Sequence, residues 1–251
     1  MNDVEDISDI ARLAKKAKKI LFFTGAGIST PSGIPDFRST NGIWQKFDPN
    51  EYATITAFKK NPEKVWKFFL EVFSIIKSAE PNEAHYAISN IQKILGEEKV
   101  FVATQNIDTL HQKADTKNVF EIHGTTRKLH CLWCQYEELV NEEKHLSEKP
   151  FPQCPKCNNP LKPEVILFGE YLPQDVYTAA IDISRKCDLL IAVGTSLEVY
   201  PASYIFFENK KATRVLFNYT AISNMNTIQY FVQGNVQHTL PELEKELRKI
   251  E

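Results

Sequence analysis

The sequence predicts an α/β fold: a parallel sheet with helices on both faces, interrupted by two insertions. Three observations carry that prediction. Short runs of consecutive apolar residues recur along the chain, as expected of strands buried on both faces. Helical or loop-rich stretches too long for hairpins separate most of these runs, so the connections are crossovers. Residues 126–160 follow neither period and hold four of the five cysteines.

In chain order, residues 4–18 place apolar groups at Val4, Ile7, Ile10, Ala11, Ala14 and Ala17, with lysines on the other face of a helix. Lys19–Thr24 (KILFFT) is the first expected strand. Lys99–Thr104 (KVFVAT), Val119–His123 (VFEIH), Val165–Phe168 (VILF), Asp188–Val193 (DLLIAV) and Arg214–Asn218 (RVLFN) are expected to join it in the sheet. Residues 45–80 read as helices rich in aromatics (Phe58, Trp66, Phe68, Phe69, Phe73). His85–Leu95, stopped by Gly96, and Leu240–Ile250 are further amphipathic helices. The expected organisation is therefore a sheet domain of residues 1–44, 81–125 and 161–251, a helical insertion at 45–80 and a cysteine-bearing insertion at 126–160.

Composition narrows the partners. In 251 residues, 43% hydrophobic and 25% charged side chains exclude disordered and fibrous classes. Thirty Lys and Arg against 32 Asp and Glu leave a net charge of −2, so direct nucleic-acid binding is not expected. No apolar run approaches the roughly 20 residues of a membrane helix. The acidic start (Asp3, Glu5, Asp6, Asp9) is unlike a signal peptide. A cytoplasmic protein without a membrane partner is expected.

Glycine is scarce, nine residues in all, yet four of them (Gly25, Gly27, Gly33, Gly42) crowd one short stretch. Gly25-Ala26-Gly27 directly follows the first strand, where a strand-to-helix turn would set two bare backbones against a pyrophosphate. Thr30 stands where the common fingerprint has a third glycine, so a plain tight turn stays open as a reading. Pro31 to Arg38 (PSGIPDFR) then encloses a charged pair, Asp36 and Arg38, in a shaped loop. Arg38 is one of only six arginines beside 24 lysines, which suggests that guanidinium geometry is wanted, for a phosphate or for Asp36.

KVFVAT runs into Gln105-Asn106-Ile107-Asp108, placing two amides and a carboxylate at the ligand-binding edge of a parallel sheet. Asp108 either accepts from a ligand amide or caps a helix at Thr109–Ala114, and spacing alone does not choose. VFEIH ends at His123-Gly124. This is the best placed of six histidines to take a proton at neutral pH, the alternative being a strand-end histidine bonded to a backbone carbonyl. His85, His111, His130, His145 and His238 read as helix-face or loop residues. Cys131/Cys134 and Cys154/Cys157 form two Cys-x-x-Cys pairs nineteen residues apart, a spacing suited to tetrahedral structural zinc. Cys187 reads as an inert thiol at the core edge.

In this order, GAGIS, SGIPDFR, QNID, His123-Gly124, the two cysteine pairs, Phe168-Gly169-Glu170 and Gly194-Thr195-Ser196 resemble the sirtuin family over residues 20–240. The segment GAGISTPSGIPDFR is similar to its prokaryotic protein deacetylases. The resemblance implies a Rossmann-like domain, a small domain built from the zinc and helical insertions, and NAD-dependent removal of acyl groups from protein lysines. Gly25, Ala26, Gly27, Thr30, Asp36, Phe37 and Arg38 would line the NAD loop, and Gln105 would touch the nicotinamide ribose. Asn106, Ile107 and Asp108 would hold the carboxamide. Gly194, Thr195 and Ser196 would face phosphate or ribose, Asn218 the adenine ribose, and Tyr219 and Val236 the adenine end. His123 would deprotonate a ribose hydroxyl, with Asn106 as the other catalytic residue. The acylated protein would bind as an extended strand between Phe168–Leu172 and Leu197–Tyr200, contacting Gly169 and Glu170, with Phe37, Ile166 and Phe168 around the lysine stem. Matching WKFFLEVF to succinyl-removing members puts Phe69 and Val72 where they carry Tyr and Arg, so acetyl or longer apolar acyl groups are expected. An NAD-dependent ADP-ribosyltransferase or NAD hydrolase, and a zinc module that senses NAD without turnover, remain open.

Overall fold

The computed structural model describes residues 4–37, 39–40 and 42–250, with side chains from Ile7 onward; Arg38 lies outside the described residues. The strands are β1 (Ile20–Thr24), β2 (Val100–Thr104), β3 (Val119–Glu121), β4 (Gly124–Cys131), β5 (Glu137–Leu139), β6 (Leu161–Val165), β7 (Leu189–Val193), β8 (Thr213–Asn218) and β9 (Tyr230–Gln233). The helices are α1 (Val4–Lys16), α2 (Pro49–Tyr52), α3 (Ile55–Lys60), α4 (Pro62–Ser78), α5 (Glu83–Leu95), α6 (Leu110–Lys113), α7 (Glu142–His145), α8 (Gln174–Lys186), α9 (Tyr204–Phe207) and α10 (Val236–Lys249).

Six strands pair in parallel in the order β3-β2-β1-β7-β8-β9. Numbered within the sheet alone this is 3-2-1-4-5-6, the order whose direction of winding reverses beside the first strand and opens a ligand crevice there. Alternate residues of each strand serve two cores. Ile20, Phe22, Val100, Val102 and Ile191 pack against α1, α5 and α10. Leu21, Phe23, Ala103, Leu190 and Ala192 pack with Ala180 and Ile181 of α8 and Phe206 of α9. Both faces are covered, which is why these strands read as unbroken apolar runs.

A three-stranded antiparallel sheet, β5-β4-β6, shares a third core with α3 and α4, where Phe58, Trp66 and Phe69 meet Leu129, Leu161, Cys131 and Cys154. Trp66 donates its ring N–H to the Leu161 carbonyl at 2.8 Å, satisfying the one polar atom of a fully buried side chain.

Two departures from the sequence reading have physical causes. Val165–Phe168 is not a strand of the parallel sheet. β6 ends at Val165 and pairs with β4, after which Val165 and Leu167 turn into the third core while Ile166 packs against the second. The run is apolar throughout because it bridges two cores. Second, the turn after β1 opens no α-helix: Ala26–Ile28 and Thr30–Ser32 are single 3-10 turns, and Pro31 and Pro35 stand where a longer helix would need backbone donors. The last strand, β9, contains Tyr230 and Phe231 on a partly exposed edge and has no counterpart in the sequence reading.

Candidate active site

The loops after β1 and β7 meet backbone to backbone at the crevice. Gly25 N–H donates to the Val193 carbonyl at 3.1 Å and Gly27 N–H to the Gly194 carbonyl at 2.8 Å. A Cβ on Gly27 would lie 2.8 Å from the Gly194 Cα, and one on Gly194, whose φ is +58°, would lie 2.4 Å from the Ile28 nitrogen. These glycines are therefore demanded first by each other, with room for a ligand a consequence of the same close approach. Thr195, buried, accepts from Leu197 N–H and from the Gln105 side chain at 3.0 Å. Thr30 is exposed and returns its hydroxyl to the Gly27 carbonyl, and Ser196 is exposed beside it in sequence to the buried Thr195.

Below that contact lies a cleft enclosing about 420 Å³ of empty space, part of it open to solvent. Its walls are Ala26, Ile34, Pro35, Phe37, Ile43, Val72, Ile75, Ile76 and Ile107, and its polar groups are Ser29, Asn106 and Asp108. The Asn106 amide nitrogen donates to the Gly25 carbonyl (3.0 Å) and to Ser29 Oγ (3.2 Å), while Ser29 Oγ donates to Asp108 Oδ2 at 2.6 Å. Asp108 Oδ1 accepts from Leu110 N–H at 2.9 Å. One carboxylate thus does both things that its spacing left open: it holds the start of α6 and stands in the cleft wall. Burial pushes its pKa up, opposed by the bonds from Ser29 and Leu110. Ile107 is fixed by its carbonyl, which accepts from Thr126 Oγ1 at 3.0 Å. Ser29 was missed from sequence, although a hydroxyl two residues past the glycine pair was a readable signal.

His123 stands two residues beyond β3, half-buried, and is joined to the cleft through Gln105. Its Nδ1 lies 2.9 Å from the Gln105 carbonyl. A carbonyl only accepts, so Nδ1 carries the proton and Nε2 is the free base of the neutral ring. Burial holds the His123 pKa below the usual histidine range, against the raising effect of that carbonyl. The alternative reading, a histidine bonded to a backbone carbonyl, is thus the same geometry that leaves a base available.

His85 and His111, expected on helix faces or loops, lie on α5 and α6 and are fully buried. The rings of His85 and His111 meet edge to face at 5.1 Å. His111 Nε2 is 2.9 Å from Thr24 Oγ1, which donates to Thr104 Oγ1, and Thr104 Oγ1 accepts from Asn106 N–H. Burial lowers the His111 pKa to about 4, and that of His85 falls well below the ordinary value through burial and its neighbour His111.

On the other side of the cleft, the rings of Phe37 and Phe168 flank Trp44, at 5.2 and 6.3 Å between centroids. Phe168 is half exposed, but its backbone is already paired: its N–H donates to Ala53 and its carbonyl accepts from Ile55. Ile166 N–H donates to the His123 carbonyl at 2.9 Å, tying this loop to the histidine. Glu170 Oε2 accepts from Lys162 Nζ at 3.0 Å and from Leu167 N–H at 2.8 Å, and its own N–H donates to the Leu167 carbonyl at 3.0 Å, so the carboxylate holds the loop. Asp36 accepts from Ser39 N–H at 2.8 Å. Asn218 donates to the Thr220 carbonyl, Tyr219 is exposed, and the Val236 side chain is buried in the first core with Leu240.

The four cysteine sulfurs lie within 4.8 Å of one another. An ion about 2.3 Å from each of four sulfurs spaces them about 3.8 Å apart, so the set fits tetrahedral zinc. Both knuckles share one design. Gln135 and Asn158, the residues after the second cysteines, are left-handed (φ 56° and 63°) and donate to the carbonyls of Cys131 and Cys154. Bonds from the Asn159 backbone and side-chain amide lower the Cys157 thiol from its ordinary value, which favours its thiolate. Cys187, by contrast, is pushed up to about 12 by burial and is inert.

Residues 25–201 match the Sir2 family model. The chain belongs to the Sir2, or sirtuin, family. It is 40% identical over 233 residues to an NAD-dependent protein deacylase of Pyrococcus furiosus, covering 91% of this sirtuin and 92% of that protein. A Sir2 homolog–NAD complex superposes with a TM-score of 0.88 at 32% identity, over 96% of this chain and 93% of that one. Sir2Af2 bound to a myristoylated histone peptide superposes at 0.80 with 33% identity, over 98% of both chains. The described residues of this sirtuin include no helix long and apolar enough to cross a membrane.

Proposed function

We propose that this sirtuin is an NAD-dependent deacylase of protein lysines, removing acetyl and longer apolar acyl groups and yielding nicotinamide, O-acyl-ADP-ribose and free lysine. The observation that carries the reading is the 2.9 Å contact of His123 Nδ1 with the Gln105 carbonyl, which requires the proton on Nδ1 and leaves Nε2 as base. Bound NAD supplies a ribose whose bond to nicotinamide can break and whose hydroxyls can receive the acyl group. The protein's part is to orient, dehydrate and move one proton. Ser29 holds Asn106 and Asp108 at a fixed spacing, so their side chains meet a carboxamide in an apolar-walled cleft without rearranging. His123 takes a proton from a ribose hydroxyl at Nε2; its lowered pKa keeps that base form populated at and below neutrality. The loops carrying Ala26, Thr30, Arg38 and Ser196 receive phosphates, and Asn218 and Tyr219 the adenosine end.

The substrate protein binds as a strand against residues 169–172 and 197–200, with the Phe37 and Phe168 rings beside the lysine stem. Among the described residues no cation lines the cleft; Val72 is in its wall and Phe69 is buried core. A distal carboxylate would meet no partner there, which supports acetyl or apolar acyl groups over succinyl. The likeness to the NAD-dependent protein deacylase of Pyrococcus furiosus and to Sir2Af2 with its myristoylated histone peptide supports the same class. The helical and zinc insertions act as one small domain, since they share a core. A cytoplasmic location goes with five free cysteines.

The test is mass spectrometry of acetyl-, long-acyl- and succinyl-lysine versions of one peptide, with and without NAD. Deacylation only with NAD, one nicotinamide per lysine freed, and the succinyl peptide slowest are expected. Transfer of ADP-ribose to protein, or nicotinamide release without deacylation, would replace this reading with its rivals.

A further inference from the structure

Beside the substrate edge lies a second groove that the reaction does not use. It encloses about 800 Å³ of space, much of it open to solvent, between α3 (Ile55, Lys59), the first cysteine knuckle (Leu132, Trp133) and the edge loop (Glu170, Tyr171). Trp133 is 48% exposed and Tyr171 91% exposed, while Leu132 packs against the third core. Two large aromatic faces open to water on one groove mark a contact surface rather than core. Glu170 and Tyr171 belong to the loop against which the substrate strand is proposed to bind, so the groove continues that edge.

The charge of the groove is set by a buried pair. Of its two charged linings, Glu170 is neutralised by Lys162, which is fully buried and also donates to the Pro163 and Val165 carbonyls at 3.1 and 2.6 Å. Lys59 is exposed and makes no ion pair among the described residues, leaving the groove with one uncompensated positive charge.

We propose that this groove is a second substrate subsite, which binds the segment flanking the acyl-lysine and favours a segment with an acidic residue over a neutral or basic one. The inference rests on the deacylase reading and adds the class of protein sequence preferred. Lys59 meets the carboxylate, and Trp133 and Tyr171 cover the apolar parts of the segment. Because the pair is exposed, the charge preference is modest; the aromatic contact contributes more.

The experiment measures kcat/KM for acetyl-lysine peptides identical except for Glu, Gln or Lys in the flanks, and for a minimal acetyl-lysine substrate too short to reach the groove. The acidic peptide should exceed the basic one about three- to fivefold at low salt, and Lys59→Glu should reverse that order. Trp133→Ala, with zinc content checked, should lose about five- to tenfold on the long peptides and leave the minimal substrate and the KM for NAD unchanged. Equal use of all flanks, or an order that Lys59→Glu leaves as it was, overturns the subsite alone. A protein that leaves every acetylated peptide intact takes down the deacylase reading and this inference together.

Discussion

The cleft and the cysteine knot are each built from a few polar side chains at defined spacing, but they solve different problems. The knot closes over itself: its four sulfurs come from two nearly identical turns within residues 131–157, and they face one another. A shell of four thiolates leaves no position for water or substrate. The cleft is assembled from loops that are far apart in sequence, Ser29, Asn106, Asp108 and, through Gln105, His123, and these groups keep unused capacity toward a ligand. The lesson is that the sulfurs of a structural site face one another and close it, whereas the polar groups of the cleft hold one another and still line open space.

The sharpest way to break this contrast is to remove one member from each. His123→Ala should lower kcat/KM on an acetylated peptide by about a hundred- to ten-thousandfold, with the thermal midpoint and zinc content essentially unchanged. Retained activity would take this imidazole out of the chemistry. Cys131→Ser should do the opposite: zinc stoichiometry falls and stability drops by on the order of several kcal/mol, read by atomic absorption and urea unfolding. A variant that keeps its metal and its midpoint would show that the knot is not what holds the insertion.

A pH series sharpens the comparison within the histidines. His111 has a folded pKa of about 4, below its unfolded value. Between roughly pH 6.5 and 4 the unfolded chain binds a proton that the folded one refuses, so stability is full above 6.5 and lost as pH falls, by on the order of 3 kcal/mol. His111→Gln should flatten that slope in urea midpoints measured at pH 7.5 and 4.5; an unchanged slope would place the acid sensitivity elsewhere. The smallest effect is expected at the loop contact. Gly194→Ala forces a side chain into a left-handed backbone against Ile28, and should cost about 2 kcal/mol and raise the KM for NAD. A neutral result would mean that the two loops can part without consequence.

Much of the fold was readable from single segments. β1, β2, β7 and β8 show as apolar runs because each is buried on both sides, and the cysteine spacing pointed to a metal because two short turns suffice to build it. Val165–Phe168 misled for the same reason that it is apolar, since burial between two different cores leaves the same trace as burial in one sheet. Within the site, Asn106, Asp108 and His123 were legible as polar groups at strand ends. Ser29 was marked only by its place two residues past the glycine pair, which does not show that its hydroxyl bridges two side chains, and nothing local marks the His85–His111 pair as one histidine buried against another.

The sequence alone determined most strands of the parallel sheet and which four thiols gather in one place, because apolar runs and cysteine spacing are properties of a few neighbouring residues. Tertiary structure decided the rest. It alone gave the His123 tautomer, the commitment of Glu170 to Lys162, the double duty of Asp108 and the close approach of Gly27 to Gly194, since each depends on a partner that only folding brings within hydrogen-bond or van der Waals reach.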